Sequence, residues 1–514
     1  MMTNCEDHEL GNVVAIKSYT PRVMGGSDGE HRDSEQLARL GKKAVLKRNF
    51  GFMSILGFSC TVLITWEGMT VMFRQGLMNG GPAGLIYGFI VVWLGNVSMY
   101  SALCELVSMA PTAGGQYHWV AMLAPRSSAK FLSYITGWLM AGGWQGSFAS
   151  AAYLSATIIQ GLVKLTVPSY DIQRYQSTLL MWAVVLFAGM INVITGSLLA
   201  NDAKTIFTTF TNGGNWPTQG LSFFVGMLGN VFLFQGADAA FHMAEEVRNP
   251  SLVIPQSVML SVIINGCLGF AMTLALVFCM GDVEAALASV TGYPFLEIFG
   301  QATHSIGGTT AMASIVLVLG VCGTVGILAT TSRIFWSFAR DRGLPFWKTL
   351  SKVDKRTTIP IWSIATTAIL CCLLAIIIIG SSDAFQIIIS LSVVCLHGSY
   401  FICLALLLYR RCTSGFALPD MEGTTLPALA DTAGEKLVWG PWRIPGAYGI
   451  INNAVACIYV IIVWFFSLWP TTTPVDALTF NYSIVITAAV AIISIVYYLV
   501  RARKIWQGPI VEVQ

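Results

Sequence analysis

Eleven stretches of this chain are long enough and apolar enough to cross a bilayer: 51–73, 84–108, 131–161, 178–200, 221–242, 256–280, 311–331, 360–380, 385–409, 447–469 and 482–500. A spanning helix needs about 20 mainly apolar residues. In hydrocarbon every backbone N–H and C=O must be satisfied within the chain, so only helices and closed barrels can span it. No alternation of the barrel kind is visible, and the chain is read as an all-α polytopic membrane protein. Only 11% of its residues are charged and 55% are hydrophobic, against about 25% charged in soluble domains. The 514 residues therefore read as one membrane unit, not as several soluble domains. Small residues, as in MAGGWQGSFASAAYLSA (140–156), permit close helix contact in lipid.

The flanks are assigned by composition. Residues 1–46 are polar, lack the pattern of a secretory signal, and are read as a disordered cytoplasmic tail. Residues 47–505 form the transmembrane domain and 506–514 a short cytoplasmic tail. The cysteines lie mostly inside apolar runs, without zinc or disulfide-scaffold spacing, and are read as small buried hydrophobes.

Positive charge collects on the cytoplasmic side of membrane proteins. Lys42, Lys43, Lys47 and Arg48 precede the first span, and Arg126 and Lys130 precede the third. The loop 332–359 carries Arg333, Arg340, Arg342, Lys348, Lys352, Lys355 and Arg356, while 281–310 and 470–481 carry no Lys or Arg. The second of these ends in NYS, which makes Asn481 a candidate glycan acceptor on an outside loop. Eleven crossings would put the basic 332–359 loop outside and the charge-free 281–310 loop inside. One more crossing between 200 and 221 repairs every later loop, yet NDAKTIFTTFTNGGNWPTQG is too polar and too short to supply it. Either a helix is missing there or one of the first four segments does not cross; 51–73, with Glu67 and its glycines, is the weakest of the four.

Two apolar runs are interrupted in ways that carry chemistry. LFQGADAAFHMAEEVRNP (233–250) places Asp238, His242, Glu245 and Glu246 within nine residues, beginning two residues after Gly236. Gly236, flanked by Phe234, Gln235 and Asp238, marks a helix break. A break bares N–H groups at one half-helix end and C=O groups at the other, and these attract a carboxylate and a cation respectively. Residues 238, 242, 245 and 246 would share one helical face, with Pro250 as the stop. The plainer reading has His242, Glu245 and Glu246 pairing with Arg248 and nearby backbone at the membrane edge.

The second interruption is GFSCTVLITWEGMT (57–70), where Gly57 and Gly68 bracket Ser59, Thr61, Thr65 and Glu67. It is read as a partly unwound first helix facing the broken 221–242 helix; the plainer reading makes Trp66 and Glu67 interfacial anchors. A pair of interrupted helices points to alternating access. ELVSMAPTAGGQYHW (105–119) contains Glu105 and closes the second span in a tight cytoplasmic turn, either a gate hinge or an ordinary loop. HMAEE has no second histidine pair, which sets a zinc enzyme aside. No phosphate-binding GxxxxGK[ST] loop occurs, so ATP-driven pumping has no support. No cofactor, metal or nucleic-acid partner is expected; the basic 332–359 loop is read as facing anionic lipid.

NGGPAGLIYG (79–88), ELVSMAPTAGGQYHW (105–119), GADAAFHMAEEVRNPSLVIP (236–255), RIFWSFARDRGLP (333–345) and VDKRTTIP (353–360) together make the chain resemble the amino acid–polyamine–organocation superfamily. The resemblance is strongest to its fungal amino acid/choline transporter family, which includes γ-aminobutyrate and choline permeases. It implies twelve spans, a five-plus-five inverted repeat with broken first and sixth helices, and two trailing helices. It places the substrate against Thr65, Trp66, Glu67 and Gly68 of the first helix and Phe234, Gln235, Gly236 and Asp238 of the sixth, with Trp144 as a wall. Glu105, His242, Glu245 and Glu246 are expected in gating or coupling. The family carries a fifth span ahead of a segment like TIFTTFTNGGNW (205–216), so the resemblance and the charge pattern identify the same missing crossing. A skipped exon, an erroneous gene model or a real deletion would each leave this gap.

The function expected is secondary active import of a small amine-bearing solute (an amino acid, γ-aminobutyrate, a polyamine or choline) across the plasma membrane, driven by protons and without enzymatic activity. The alternatives are a nontransporting solute sensor or an inactive truncated permease without the fifth span, and, third, a passive channel.

Overall fold

The computed structural model describes residues 51–167, 169–171, 173–191, 212–279, 293–354, 359–376, 384–413, 416–417, 437–470, 472–475, 480–506 and 508–509. The expected tail 1–46 and the stretch 192–211, which holds most of the proposed gap, lie outside them. The described residues are almost wholly helical. In chain order the helices are α1 (Phe52–Leu63), α2 (Thr65–Met109), α3 (Gln116–Leu123), α4 (Arg126–Thr166), α5 (Arg174–Ile191), α6 (Gln219–Leu233) and α7 (Ala239–His242). There follow α8 (Pro250–Cys279), α9 (Pro294–Thr303), α10 (Ile306–Arg340), α11 (Trp347–Leu350), α12 (Ile361–Ala375), α13 (Ala384–Thr413), α14 (Gly446–Phe466) and α15 (Ser483–Tyr497). One two-residue parallel pairing joins Phe416–Ala417 to Leu437–Val438. Among the described residues, seven helical units are long and apolar enough to cross a membrane; α6 and α12 are apolar but shorter.

A 45-residue α2 would be about 68 Å long if straight, roughly twice the hydrocarbon thickness. It is not straight. Gly81 has φ 62° and ψ −174°, and Pro82 follows. A Cβ on Gly76 would lie 2.2 Å from Leu85 Cδ2, a contact between residues that a straight helix would hold about 13 Å apart. The chain thus doubles back at Gly81, and the expected spans 51–73 and 84–108 become two arms of a hairpin. Only glycine adopts this backbone freely, and the proline cannot donate the hydrogen bond that would continue the helix.

The first interruption falls inside the stretch that the two glycines bracket, but at neither glycine. Gly57 and Gly68 are both helical; the break is at Ile64, in the left-handed region at φ 36° and ψ 38°. A β-branched residue there is strained. The space for it comes from another helix: Cβ atoms on Gly323 and Gly326 of α10 would lie 2.7 Å from Ile64 Cγ2 and 2.8 Å from Val62 Cγ2. The second interruption occurs where expected. α6 ends at Leu233, Gly236 has φ 118°, and helix resumes at Ala239 for a single turn. The continuous face expected from 238 to 246 does not form, because Ala244–Glu246 is a 3₁₀ turn. Nor is Pro250 a stop: it opens α8, at the first-turn position where its missing N–H costs nothing.

The core joins these broken helices to α4, α10 and α13. Gly143 and Gly146 of α4 admit Leu396 and Ser392 of α13 at contact distance, the small-residue packing that membrane helices favour. Asn481 is also corrected. It is 4% exposed, and its amide nitrogen is shared among Ser390 Oγ (3.2 Å), the Ser467 carbonyl (3.1 Å) and the Trp469 carbonyl (3.1 Å). It fastens the segment before α15, and the fold leaves no room there for a glycan. Trp506, at the boundary assigned to the terminal tail, is fully buried against Tyr117, Tyr134 and Phe338.

Candidate functional site

The two interruptions meet. A Cβ on Gly236 would lie 2.8 Å from Val62 Cγ1 and 3.2 Å from the Val62 carbonyl oxygen, and one on Gly68 would lie 2.5 Å from Leu233 Cδ2. Ser59 Oγ lies 3.4 Å from the Ala237 carbonyl. The end of α1 and the turn 234–238 are therefore in contact through backbone that only small residues permit. At this meeting point Asp238 is fully buried. It accepts a hydrogen bond from Gln116 Nε2 at 3.2 Å and faces His242 Nε2 at 3.7 Å, one helical turn on. Its second oxygen, Oδ1, accepts no well-aligned hydrogen bond among the described residues, and neither do Gln116 Oε1 and Gln235 Oε1. A buried carboxylate without an arginine or lysine beside it is costly in a membrane and marks a place for a cation or a proton.

The remaining expected residues surround this point unequally. The Phe234 carbonyl accepts from Tyr100 Oη at 2.9 Å, and Gln235 Nε2 donates to Ser392 Oγ at 3.0 Å. Trp144 is buried and packs edge-on against the His242 ring, centroids 5.8 Å apart. Thr65 turns away: its hydroxyl donates to the Asn265 carbonyl at 2.8 Å and Oδ1 at 3.1 Å, both on α8. Trp66 is buried and Glu67 half-buried on the first turn of α2, where the Glu67 carbonyl accepts from Thr70 Oγ1 at 2.5 Å. No contact links Glu67 to Asp238 among the described residues. The N-terminal dipole contribution of α7 is small, since it has four residues, whereas the 15-residue α6 ends its carbonyls at the break. The charge at the site is the Asp238 carboxylate itself.

The comparisons with known proteins bear on this arrangement. The family model described as amino acid permease matches residues 50–201 and 193–490. The chain belongs to this family. Among its relatives are a choline transporter of Saccharomyces cerevisiae, 28% identical over 92% of this chain and 84% of that protein, and amino-acid permease 2 of Neurospora crassa, 25% identical over 96% and 91%. Amino-acid permease BAT1 of Arabidopsis thaliana is 26% identical over 92% and 96%. The permease is a multi-pass membrane protein and a transporter of amino acids or organocations, not an enzyme.

Beyond the meeting point, the permease pairs Glu245, Glu246 and Glu105 with arginines, while Glu67 Oε2 has no hydrogen-bond partner among the described residues. Glu245 receives Arg340 in a two-pronged hydrogen bond (2.9 and 2.6 Å) and also accepts from the Ala113 N–H at 3.4 Å. Glu246 receives Arg333 at 2.9 and 3.4 Å. Both partners lie on α10, 87 and 95 residues away along the chain; the Arg248 expected as partner is exposed. Glu105, at the end of α2, holds Arg411 of α13 and accepts from the Ile444 N–H at 2.7 Å. It thereby fixes the segment ahead of α14 and touches neither helix break. His242 Nδ1 lies 3.1 Å from the Ala113 carbonyl, with the turn 112–115 closed over it.

Sequence reasoning missed four residues that ring Asp238. Gln116 donates to it, and Tyr100, His397 and Tyr400 lie close enough to feel its charge. Gln116 and Tyr100 sit inside or beside quoted motifs, whereas His397 and Tyr400 lie in the apolar run 385–409, where they are two of three polar ring residues.

Proposed function

We propose that the permease is a secondary active transporter importing a small amine-bearing solute, such as an amino acid, γ-aminobutyrate, a polyamine or choline, across the plasma membrane with protons. The observation that carries this reading is the fully buried Asp238 at the contact between the two helix breaks, with one carboxylate oxygen unserved. Such a group is stabilised by an ammonium or by a proton, and loading of both into the site from the same side of the membrane would couple their movements in one direction. The names of the relatives, choline and amino-acid transporters, fit a cationic group on the solute. Phe234, Gln235, Gly236, Trp66, Gly68 and Trp144 would shape the pocket, with Glu67 and Thr65 at its rim. His242, Glu245 and Glu246 would close the basic end, and Glu105 would brace it. The reading includes the five-plus-five repeat of the superfamily.

Uptake of labelled γ-aminobutyrate, arginine, putrescine and choline in a permease-deficient host tests it. The expected result is accumulation against a gradient that a protonophore collapses and that Asp238→Asn abolishes. Uptake indifferent to both would overturn the mechanism. A second reading, solute binding without flux, is favoured by one observation: the two stretches matched to the family model overlap at 193–201, beside the interval 200–221 in which the charge pattern lacks a crossing. Saturable binding of a labelled solute to purified protein, with no accumulation in vesicles, would select it.

A further inference from the structure

Gln116 lies on α3, immediately after the turn 110–115 that covers the basic end of the site, yet its side chain reaches back to Asp238. That turn is held by few and unequal bonds. The Ala113 N–H donates to Glu245, His242 approaches the Ala113 carbonyl, and Trp119 Nε1 donates to the Ala110 carbonyl at 2.9 Å. Inside the turn, Thr112 N donates to Ala110 O and Gly115 N to Thr112 O, each at 3.0 Å. Gly115 has φ 51°, and a Cβ there would lie 2.8 Å from His242 Cε1. The strongest electrostatic hold among these that depends on the state of the site is the Gln116–Asp238 bond, because an amide N–H donates more strongly to a carboxylate than to a neutral carboxyl.

We infer that Gln116 is the positioning residue that reports the charge of Asp238 to the covering turn 110–115: it clamps the turn while Asp238 is a free carboxylate and releases it when a proton or an ammonium neutralises that charge. The inference rests on Asp238 being the group that receives the cation. Three features support it. Gln116 is completely buried, and its carbonyl oxygen Oε1 has no partner among the described residues, so its amide is held from the Asp238 side alone. The Gln116 backbone carbonyl is also fixed, accepting from Cys403 Sγ on α13 at 3.4 Å, so the side chain works from an anchored base. And the turn is linked through Glu245 to Arg340, so its release would loosen the ion pair that closes this end. The titratable groups facing Asp238 are His242 on α7, Tyr100 on α2, and His397 and Tyr400 on α13; of the groups around it, Gln116 is the one that joins it to the turn.

Hydrogen exchange of the peptide 110–118 in the full-length protein in nanodiscs, read by mass spectrometry, tests this without knowledge of the solute. Asp238→Asn and Gln116→Leu should each speed exchange of that peptide about tenfold, the scale of one hydrogen bond to a charged group, and the double variant should be no faster than either. Gln116→Glu with Asp238→Asn restores a charged pair with donor and acceptor exchanged, and should return exchange to within about twofold of wild type. If Gln116→Leu leaves exchange unchanged while Asp238→Asn abolishes uptake, the inference falls and the transport reading stands. If Asp238→Asn transports normally, the transport reading falls and this inference with it. Should Gln116→Leu fold poorly, the exchanged pair decides: additive acceleration in place of rescue would overturn the coupling.

Discussion

Three carboxylates within nine residues of this permease have opposite fates, and the contrast separates structure from chemistry. Glu245 and Glu246 are each met by an arginine from α10 in a two-pronged bond. Asp238 is more deeply buried than either and is met by an amide at 3.2 Å and an imidazole at 3.7 Å, with the Tyr400 hydroxyl beside it and no arginine or lysine bonded to it among the described residues. The paired acids need nothing more from outside. The poorly paired one does, and it sits where two helices have given up their backbone hydrogen bonds. In a membrane the question to ask of an acid is therefore which cation it is waiting for.

The largest expected effect breaks the comparison at its reactive member. Asp238→Asn keeps the shape and removes the charge, leaving the Gln116 amide only a neutral, weaker acceptor. Uptake at subsaturating solute should fall about 100-fold or more, the scale of losing one desolvated charge partner. The amount of folded protein, read by size-exclusion of the detergent extract, should stay close to wild type. A variant that misfolds instead would show Asp238 to be structural, like its neighbours.

Glu246→Ala probes the other member. It strands the buried Arg333 and should destabilise by about 3–5 kcal/mol, visible as a lower unfolding temperature and a poor folded yield. Removing both charges, Glu246→Gln with Arg333→Met, should recover more than half of that loss, because the single variant's cost is mainly the uncompensated arginine. If the double variant is as unstable as the single, the pair contributes by attraction and the distinction drawn above weakens.

The difference between these acids was only partly legible in the sequence. Composition and span length gave a helical membrane bundle, and Gly236 marked the second break, because a residue that must adopt φ 118° announces itself by having no side chain. The first break was legible to within the stretch 57–70 that Gly57 and Gly68 bracket, but not to its residue. Its actual site, Ile64, is made tolerable by Gly323 and Gly326 on α10, about 260 residues downstream, and no local pattern encodes that. The partners were hidden for the same reason. Arg333 and Arg340 were counted as loop charge, because their pairing with residues 245 and 246 exists only once α10 is packed. Gln116, His397 and Tyr400 became site residues through tertiary contact alone. The crossing expected to be missing near residue 200 rests on an imbalance of charge, a pattern read without knowledge of packing, and most of that stretch lies outside the described residues.

A smaller effect is expected at Glu105, an acid paired like Glu245 but remote from the breaks. Glu105→Gln keeps an acceptor for the Ile444 N–H and loses the charge that holds Arg411. A destabilisation of about 2 kcal/mol is expected, with faster proteolysis between residues 437 and 446 and little change in solute affinity. A change in affinity as large as that of Asp238→Asn would make Glu105 part of the binding site after all.

The smallest effect, the departure from additivity between two substitutions, tests whether the two breaks support each other. Gly236→Ala places a methyl group 2.8 Å from Val62 Cγ1 and puts a side chain on a backbone at φ 118°. The steric part can be relieved from the other break, the conformational part cannot. Gly236→Ala should therefore cost about 2 kcal/mol, a left-handed strain plus local overpacking. Val62→Ala alone should cost about 1 kcal/mol for its lost burial. Combined, the two should cost less than their sum, since the smaller residue vacates the space that the new methyl needs. Thermal unfolding of the three variants measures this directly. Simple additivity would mean that residues 62 and 236 do not touch in the folded protein, and the contact that brings Asp238 against the end of α1 would be lost with it.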